Sequence, residues 1–163
     1  MASDYFLSID GGPKGESTDK SHAGEIEFFS YSFGVSNPST IGSGSTGGGG
    51  GKCSISSFNV MKRTDSASAP LFQACAAGDH WDTATVTIRK AGKEALEYLK
   101  YDFTEFYPDS VQWSGSAGGD DVPTESVSFS FASVHVTYVP QKSDGTGGSP
   151  IEGGWDVTTN QPK

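Results

Sequence analysis

Residues 45–54 read STGGGGGKCS, a glycine run closed by a lysine, so phosphate binding is the first chemistry to weigh. A loop of the G-x-x-x-x-G-K-[ST] type needs glycines that turn successive N–H groups inward, a lysine for the outer phosphates and a hydroxyl for Mg²⁺. Counting back from Gly51-Lys52 puts Thr46 where the first glycine belongs, and Cys53 stands where the hydroxyl belongs. The motif also opens a helix, whereas Ile55 to Val60 has strand character. The glycines therefore read as a surface loop that is costly to order without a partner. No nucleotide or other cofactor is expected.

Other polar constellations fail on spacing. Asp10, Glu16, Asp19 and His22 fit neither an EF-hand nor a zinc site, and they sit among Gly, Ser and Lys, where solvated charges are expected. His80-Trp81-Asp82 pairs an imidazole with a carboxylate, but no G-x-S-x-G supplies a nucleophile on a strained turn. His135 falls in the polar phase of its strand. A glycosidase-like carboxylate pair is a spatial arrangement that sequence does not reveal. Cys53 and Cys75 allow one bridge but form no CxxC, and Cys75 falls on the apolar side of an expected helix. No catalytic or metal-binding residue is assigned, and the expectation is a protein that is not an enzyme.

Composition narrows the partners. With 163 residues the chain is read as one domain, 1–163. Only 19% of residues are charged while Gly, Ser and Thr abound, which suits a β-rich fold with many turns. A net charge of −9 argues against nucleic acid or an anionic membrane as partner, since both call for basic patches. The N-terminus Met1-Ala2-Ser3-Asp4-Tyr5 lacks the basic and apolar regions of a secretory signal, so folding in the cytoplasm is expected.

Period-two alternation marks the expected strands. They are Tyr5 to Ile9, Glu25 to Gly34 with Phe29, Tyr31 and Phe33 on one face, Ser54 to about Lys62, Thr83 to Lys90, and Leu96 to Tyr107. Thr124 to Val139 is the longest candidate. Its apolar phase slips near Ala132-Ser133, which predicts a β-bulge, with a strand buried on both sides as the alternative. One helix is expected over about 66–77, with a Ser cap, Pro70 in its first turn, Leu71, Phe72 and Cys75 on one side, and Gly78 at C′. Residues 36–52, 114–123 and 143–154 have loop composition, and 143–163 reads as a C-terminal tail.

The polar side of the strands carries many small neutral residues: Ser30, Ser32, Ser54, Ser56, Thr85, Thr87, Ser128, Ser130, Ser133 and Thr137. A solvent-facing sheet ordinarily shows more Lys and Glu. Such a surface suits contact with protein or a confined aqueous channel.

Several stretches carry a resemblance. KGES (Lys14 to Ser17), IEFFSYSFG (Ile26 to Gly34), SAPLFQACAAG (Ser68 to Gly78), VTIRKAG (Val86 to Gly92) and YVPQKSDG (Tyr138 to Gly145) occur in the order found in the Hcp family. These are the haemolysin-coregulated tube proteins of bacterial type VI secretion, and Tyr31 and Phe33 stand at the family's usual Trp positions. The resemblance implies a mainly β protein, a two-sheet antiparallel β-barrel with one α-helix that assembles into a hexameric ring. Stacked rings would form a tube expelled by a sheath behind a spike, binding effector proteins in the channel and leaving the cell without a signal peptide. It also places Ser32, with Ser30 beside it, toward the channel.

The loop 36–52 is expected to reach the neighbouring ring, with Pro38, Ser39, Thr40, Ile41, Gly42, Gly47, Gly48, Gly49, Gly50, Gly51 and Lys52 as candidate contacts. The competing readings are a secreted β-sandwich binding module, with Trp113 and Trp155 as exposed aromatics, and a small hydrolase.

Overall fold

The computed structural model describes residues 2–38, 51–91, 95–119 and 122–163. Along the chain run β1 (Ser3–Ile9), β2 (Ile26–Phe28), β3 (Ser30–Ser32), β4 (Val35–Ser36), β5 (Ser54–Ile55) and β6 (Phe58–Arg63). Helix α1 (Ser68–Ala77) follows. Then come β7 (Trp81–Lys90), β8 (Glu97–Ser114), β9 (Thr124–Ser130), β10 (Ser133–Tyr138), β11 (Ile151–Asp156) and β12 (Gln161–Pro162).

Ten of the described strands form two antiparallel layers that share β8, and β4 and β5 pair with each other apart from them. Sheet A runs β12-β11-β10-β8-β7-β1-β2, and sheet B runs β3-β6-β9-β8. The first half of β8 pairs with β7 and β10, and its second half, Tyr107 to Ser114, pairs with β9. Glu105, at φ 51°, marks the bend between the halves, and around it Phe103 and Phe106 are both buried. The layers do not close into a barrel as the resemblance implies. They enclose a core of Leu7, Ile26, Phe58, Val60, Val86, Phe103, Phe106, Val127 and Phe129.

Three expected strands are split: Ser54 to about Lys62 becomes β5, paired with β4, and β6, paired with β3 and β9, and two others divide between the sheets. The stretch Glu25 to Gly34 is broken between Phe28 and Phe29, because β2 pairs with β1 while β3 pairs with β6. Phe28 turns inward and Phe29 is left 52% exposed, against the expectation that it shares a face with Tyr31 and Phe33. Thr124 to Val139 is likewise β9 and β10, with the chain crossing from sheet B to sheet A at Phe131-Ala132. A crossing between layers, not a bulge, restores the apolar phase. The longest strand is β8.

Helix α1 starts two residues later than expected, and Ser66 is not its cap. Ala67 occupies the N-cap without a side-chain bond, and the turn before it is held reciprocally. The Asp65 amide donates to Ser68 Oγ at 2.9 Å, and the Ala67 amide donates to Asp65 Oδ1 at 2.9 Å. Gly78 ends the helix at φ 75°, a left-handed conformation that glycine adopts without strain. The buried face is Ser68, Leu71 and Ala74, whereas Phe72 is exposed and Cys75 half-buried, contrary to the expected apolar side.

An ionic knot ties α1 to sheet B. Lys62, fully buried, donates to Asp65 Oδ1 at 2.8 Å, to Ser68 Oγ at 3.2 Å, to the Arg63 carbonyl at 3.1 Å and to Glu125 Oε1. Ser68 Oγ also donates to Glu125 Oε1, at 2.9 Å. Glu125 Oε2 is buried without a hydrogen-bond partner among the described residues.

Candidate functional site

The solvent side of sheet B follows from its register. One row is Ser30, Met61, Ser126 and Gln112, and the next is Ser32, Asn59, Ser128 and Ser110. All are exposed or half-buried, because alternation sends their neighbours Tyr31, Phe58, Val60, Val127 and Phe129 into the core. Side-chain hydrogen bonds stay within the face. Ser128 donates to Asn59 Oδ1, and Asn59 Nδ2 donates to the Ser57 carbonyl at 3.1 Å. The carboxylate of Asp109, at the margin, accepts from Ser57 at 2.9 Å and from Ser130. Neither row contains a charged residue.

Tyr31 supports this face from below. Its hydroxyl lies 3.1 Å from that of Tyr101, and burial, with the Tyr101 bond second, pushes the Tyr31 phenol above its ordinary range. It therefore stays neutral.

Sheet A presents a different surface. Its outward rows include Asp4 beside Arg89, then Phe6, Thr87, Lys100, Thr137 and Glu152, then Ser8, Thr85, Asp102 and His135. Charges meet charges there. Arg89 forks onto Asp19 at 3.0 and 2.6 Å and reaches Asp4 at 3.0 Å. The Asp19 carboxyl is lowered to about 2, first by its hydrogen bonds from Arg89. His22 stacks on Phe6 with ring centroids 4.3 Å apart, and its two nitrogens lie 2.7 Å from Glu25 and 2.7 Å from Glu97.

The ten small polar residues thus do not form one surface. Ser30, Ser32, Ser128 and Ser130 belong to sheet B, while Thr85, Thr87, Ser133 and Thr137 belong to sheet A. Thr87 and Ser133 are buried, and Ser133 lies 2.6 Å from Thr104 Oγ1 and accepts from Lys163 Nζ at 2.9 Å. Ser54 opens β5, and Ser56 follows it, accepting from the Gly34 amide at 3.0 Å. Asn59, Met61, Ser110, Gln112 and Ser126 escaped the sequence reading. Asn59 and Met61 alternate with Phe58 and Val60, a legible signal, but only the register joins them to Ser30 and Ser32.

Of the long loop, Pro38, Gly51 and Lys52 are described, and the Gly51 amide donates to the Pro38 carbonyl at 3.0 Å, closing the loop's base. Ser39, Thr40, Ile41, Gly42, Gly47, Gly48, Gly49 and Gly50 lie outside the described residues.

The remaining candidates are dispersed. Asp10 accepts from Thr83, Glu16 accepts from the Ser66 amide at 3.2 Å, and Asp19 and His22 have the partners given above. Among the described residues no three His, Cys, Asp or Glu side chains converge as a metal site. His80 and Glu105 sit 3.3 Å apart, both exposed. Cys53 and Cys75 are free thiols. Trp113 is exposed beside Phe72, and Trp155 is half-buried.

Comparison with known proteins is consistent across sequence and fold. A family model described as "Type VI secretion system effector, Hcp" matches residues 6–138. The curated protein hcp1 of Pseudomonas aeruginosa is 43% identical over 162 residues, covering 98% of both chains. A solved structure of a type six secretion system protein superposes with a TM-score of 0.94 at 34% identity, covering 99% of this chain and 100% of the other. Hcp1 from Salmonella typhimurium superposes at 0.80 with 36% identity and full coverage of both.

Proposed function

Because the chain belongs to the Hcp family of type VI secretion system proteins, we propose that it is a ring-forming tube subunit whose sheet B faces the channel. One observation carries this reading: the two rows that hold Ser30 and Ser32 carry no charged residue across four strands, with Arg63 and Asp109 at their ends, while the solvent side of sheet A is laced with ion pairs. A channel wall must hold passenger proteins and then release them. Hydroxyls and amides exchange water for cargo at about 1 kcal/mol per hydrogen bond. A dense charged wall would select by long-range field instead.

Ring closure follows from sheet B's edges. Among the described residues, β3 ends the sheet on one side, and on the other the second half of β8 pairs within sheet B only with β9. In a six-membered ring each such edge abuts the opposite edge of the next protomer, a heterologous contact that closes after a fixed rotation. The loop 36–52 is our candidate for ring-to-ring contact, ordering at an entropic cost when rings stack. The partners of this reading are other copies of the chain, effector cargo, and the sheath and spike of the secretion apparatus. The role is structural, with export through that apparatus. No described helix is long and apolar enough to cross a membrane.

Ser32→Gln tests the assignment. Ser32 is exposed, so stability should move by no more than about 0.5 kcal/mol. Effector retention, read as co-purification and co-export, should fall at least tenfold as six longer side chains enter the bore. Wild-type effector export from a folded Ser32→Gln protein contradicts the channel-facing role.

A further inference from the structure

Phe6 is out of place on sheet A. Alternation along β1 turns Leu7 and Ile9 into the core and sends Phe6 outward with Asp4 and Ser8, yet Phe6 is only 2% exposed. What covers it is the connection between β1 and β2. Residues 13–25 form neither helix nor strand, and they lay the His22 ring flat on the Phe6 ring. The Arg89 guanidinium lies 5.0 Å from the same ring's centroid.

This strap is tied up within itself. The Gly15 amide donates to the Gly24 carbonyl at 2.9 Å, and the Gly24 amide donates to the Ser17 carbonyl at 2.8 Å. Among the described residues, its hydrogen bonds to the rest of the protein run through its side chains alone. They are Asp19 with Arg89, Glu16 with the Ser66 amide, and His22 with Glu97.

The His22 contacts impose a condition on protons. A carboxylate only accepts hydrogen bonds, and a neutral imidazole offers a single N–H. Nδ1 lies 2.7 Å from Glu25 Oε2, and Nε2 lies 2.7 Å from Glu97 Oε1. Both contacts are therefore hydrogen bonds only while the ring carries two protons. With one proton gone, a nitrogen lone pair faces a carboxylate lone pair, and that end of the bridge repels. Histidine is the side chain that ordinarily changes charge between about pH 5 and 8. The other described charges around the site are Arg89 with its partners Asp4 and Asp19, Glu27 opposite Phe6 on β2, and Lys100 in the row of Phe6. Arg89 keeps its charge, and its hydrogen bonds hold the Asp19 carboxyl down to about 2, so that clamp does not change over this range.

We propose that His22 is a proton-dependent latch, which pins the strap 13–25 to β8 through Glu97 while the ring is charged and releases it when the ring loses a proton. Release uncovers Phe6 on the outer side of sheet A. The latch belongs to the single subunit and does not rest on the tube reading.

Hydrogen exchange of the strap amides, expressed as protection factors from about pH 5.5 to about 8.5, tests it. Protection in the strap should fall at least tenfold toward the alkaline end, while amides of β6 and β9 change less than twofold. Glu97→Gln should keep the strap protected and flatten its profile to within twofold, because an amide accepts from a protonated Nε2 and donates to a bare one. A flat wild-type profile overturns the latch. A Glu97→Gln protein whose strap loosens with pH as wild type does, or is loose at every pH, overturns it as well. Should Glu97→Gln fail to fold, nitrogen NMR of the wild-type His22 ring decides. Strap loosening at the pH where the ring signals move supports the latch, and loosening at any other pH overturns it.

Discussion

Lys62→Met is expected to destabilise the fold by about 3–5 kcal/mol, the cost of leaving a buried charge without its partner. The stranded group is Glu125, 1% exposed and already carrying one oxygen without a hydrogen bond among the described residues. Removing the lysine also removes its bonds to Asp65 and Ser68, which leaves Ser68 Oγ to Glu125 as the turn's remaining side-chain tie to sheet B. The paired change Lys62→Met with Glu125→Leu should recover most of that loss, because hydrophobic replacement of a buried ion pair is often neutral or stabilising. Urea unfolding at one fixed protein concentration decides it, since assembly shifts apparent stability by mass action. A single change costing under about 1 kcal/mol, or a paired change no better than the single one, would contradict the knot's role. The knot is then a device of registry: it fixes where α1 sits on β6 and β9, and hence where Phe72 meets Trp113.

Phe58→Ala should cost about 3–5 kcal/mol, the range for deleting a well-packed core aromatic. Phe58 is fully buried, with ring centroids 5.3 Å from Tyr31, 5.6 Å from Phe33, 5.5 Å from Tyr101 and 5.2 Å from Phe103. Its neighbour Asn59 belongs to the row of Ser32, so the same strand supplies core on one side and, in the proposed ring, channel wall on the other. The urea midpoint should fall with an unchanged slope. A cost near that of Ser32→Gln would show that the rings around Phe58 are not the packed centre described above.

What was legible in the sequence, and what was not, divides at a few places. Alternation located β1, β7 and the run from Phe58 to Lys62 closely, and Pro70 with Gly78 bracketed the helix. The misreadings fall at Phe28/Phe29, between β5 and β6, at Phe131/Ala132 and in 143–163, read as loop and tail but holding β11 and β12 of sheet A, and the sharing of β8 around Glu105 went unseen; at all of these but the tail the chain leaves one sheet for another. Such a crossing shows in sequence as a slip of phase. The identity of the new partner strand does not, because pairing between β6 and β9 joins residues more than sixty positions apart. The candidate site was half visible for the same reason. Ser30 and Ser32 were singled out by their size and phase, while Thr85 and Thr137, alike in size and phase, proved to face the other side of the molecule. The phosphate-loop reading of residues 45–54 was set aside on Thr46, on Cys53 and on the strand character of Ile55 to Val60.

Electron cryomicroscopy of the purified protein, imaged as single rings and as stacked tubes, tests the central claim most directly, namely which sheet walls the channel. Six-membered rings are expected, with β3, β6, β9 and the second half of β8 lining an open bore and Ser32 facing it, and in tubes the loop 36–52 should lie against the next ring. Rings with the ion-paired surface of sheet A turned to the bore, or particles that remain single at every concentration, would contradict it.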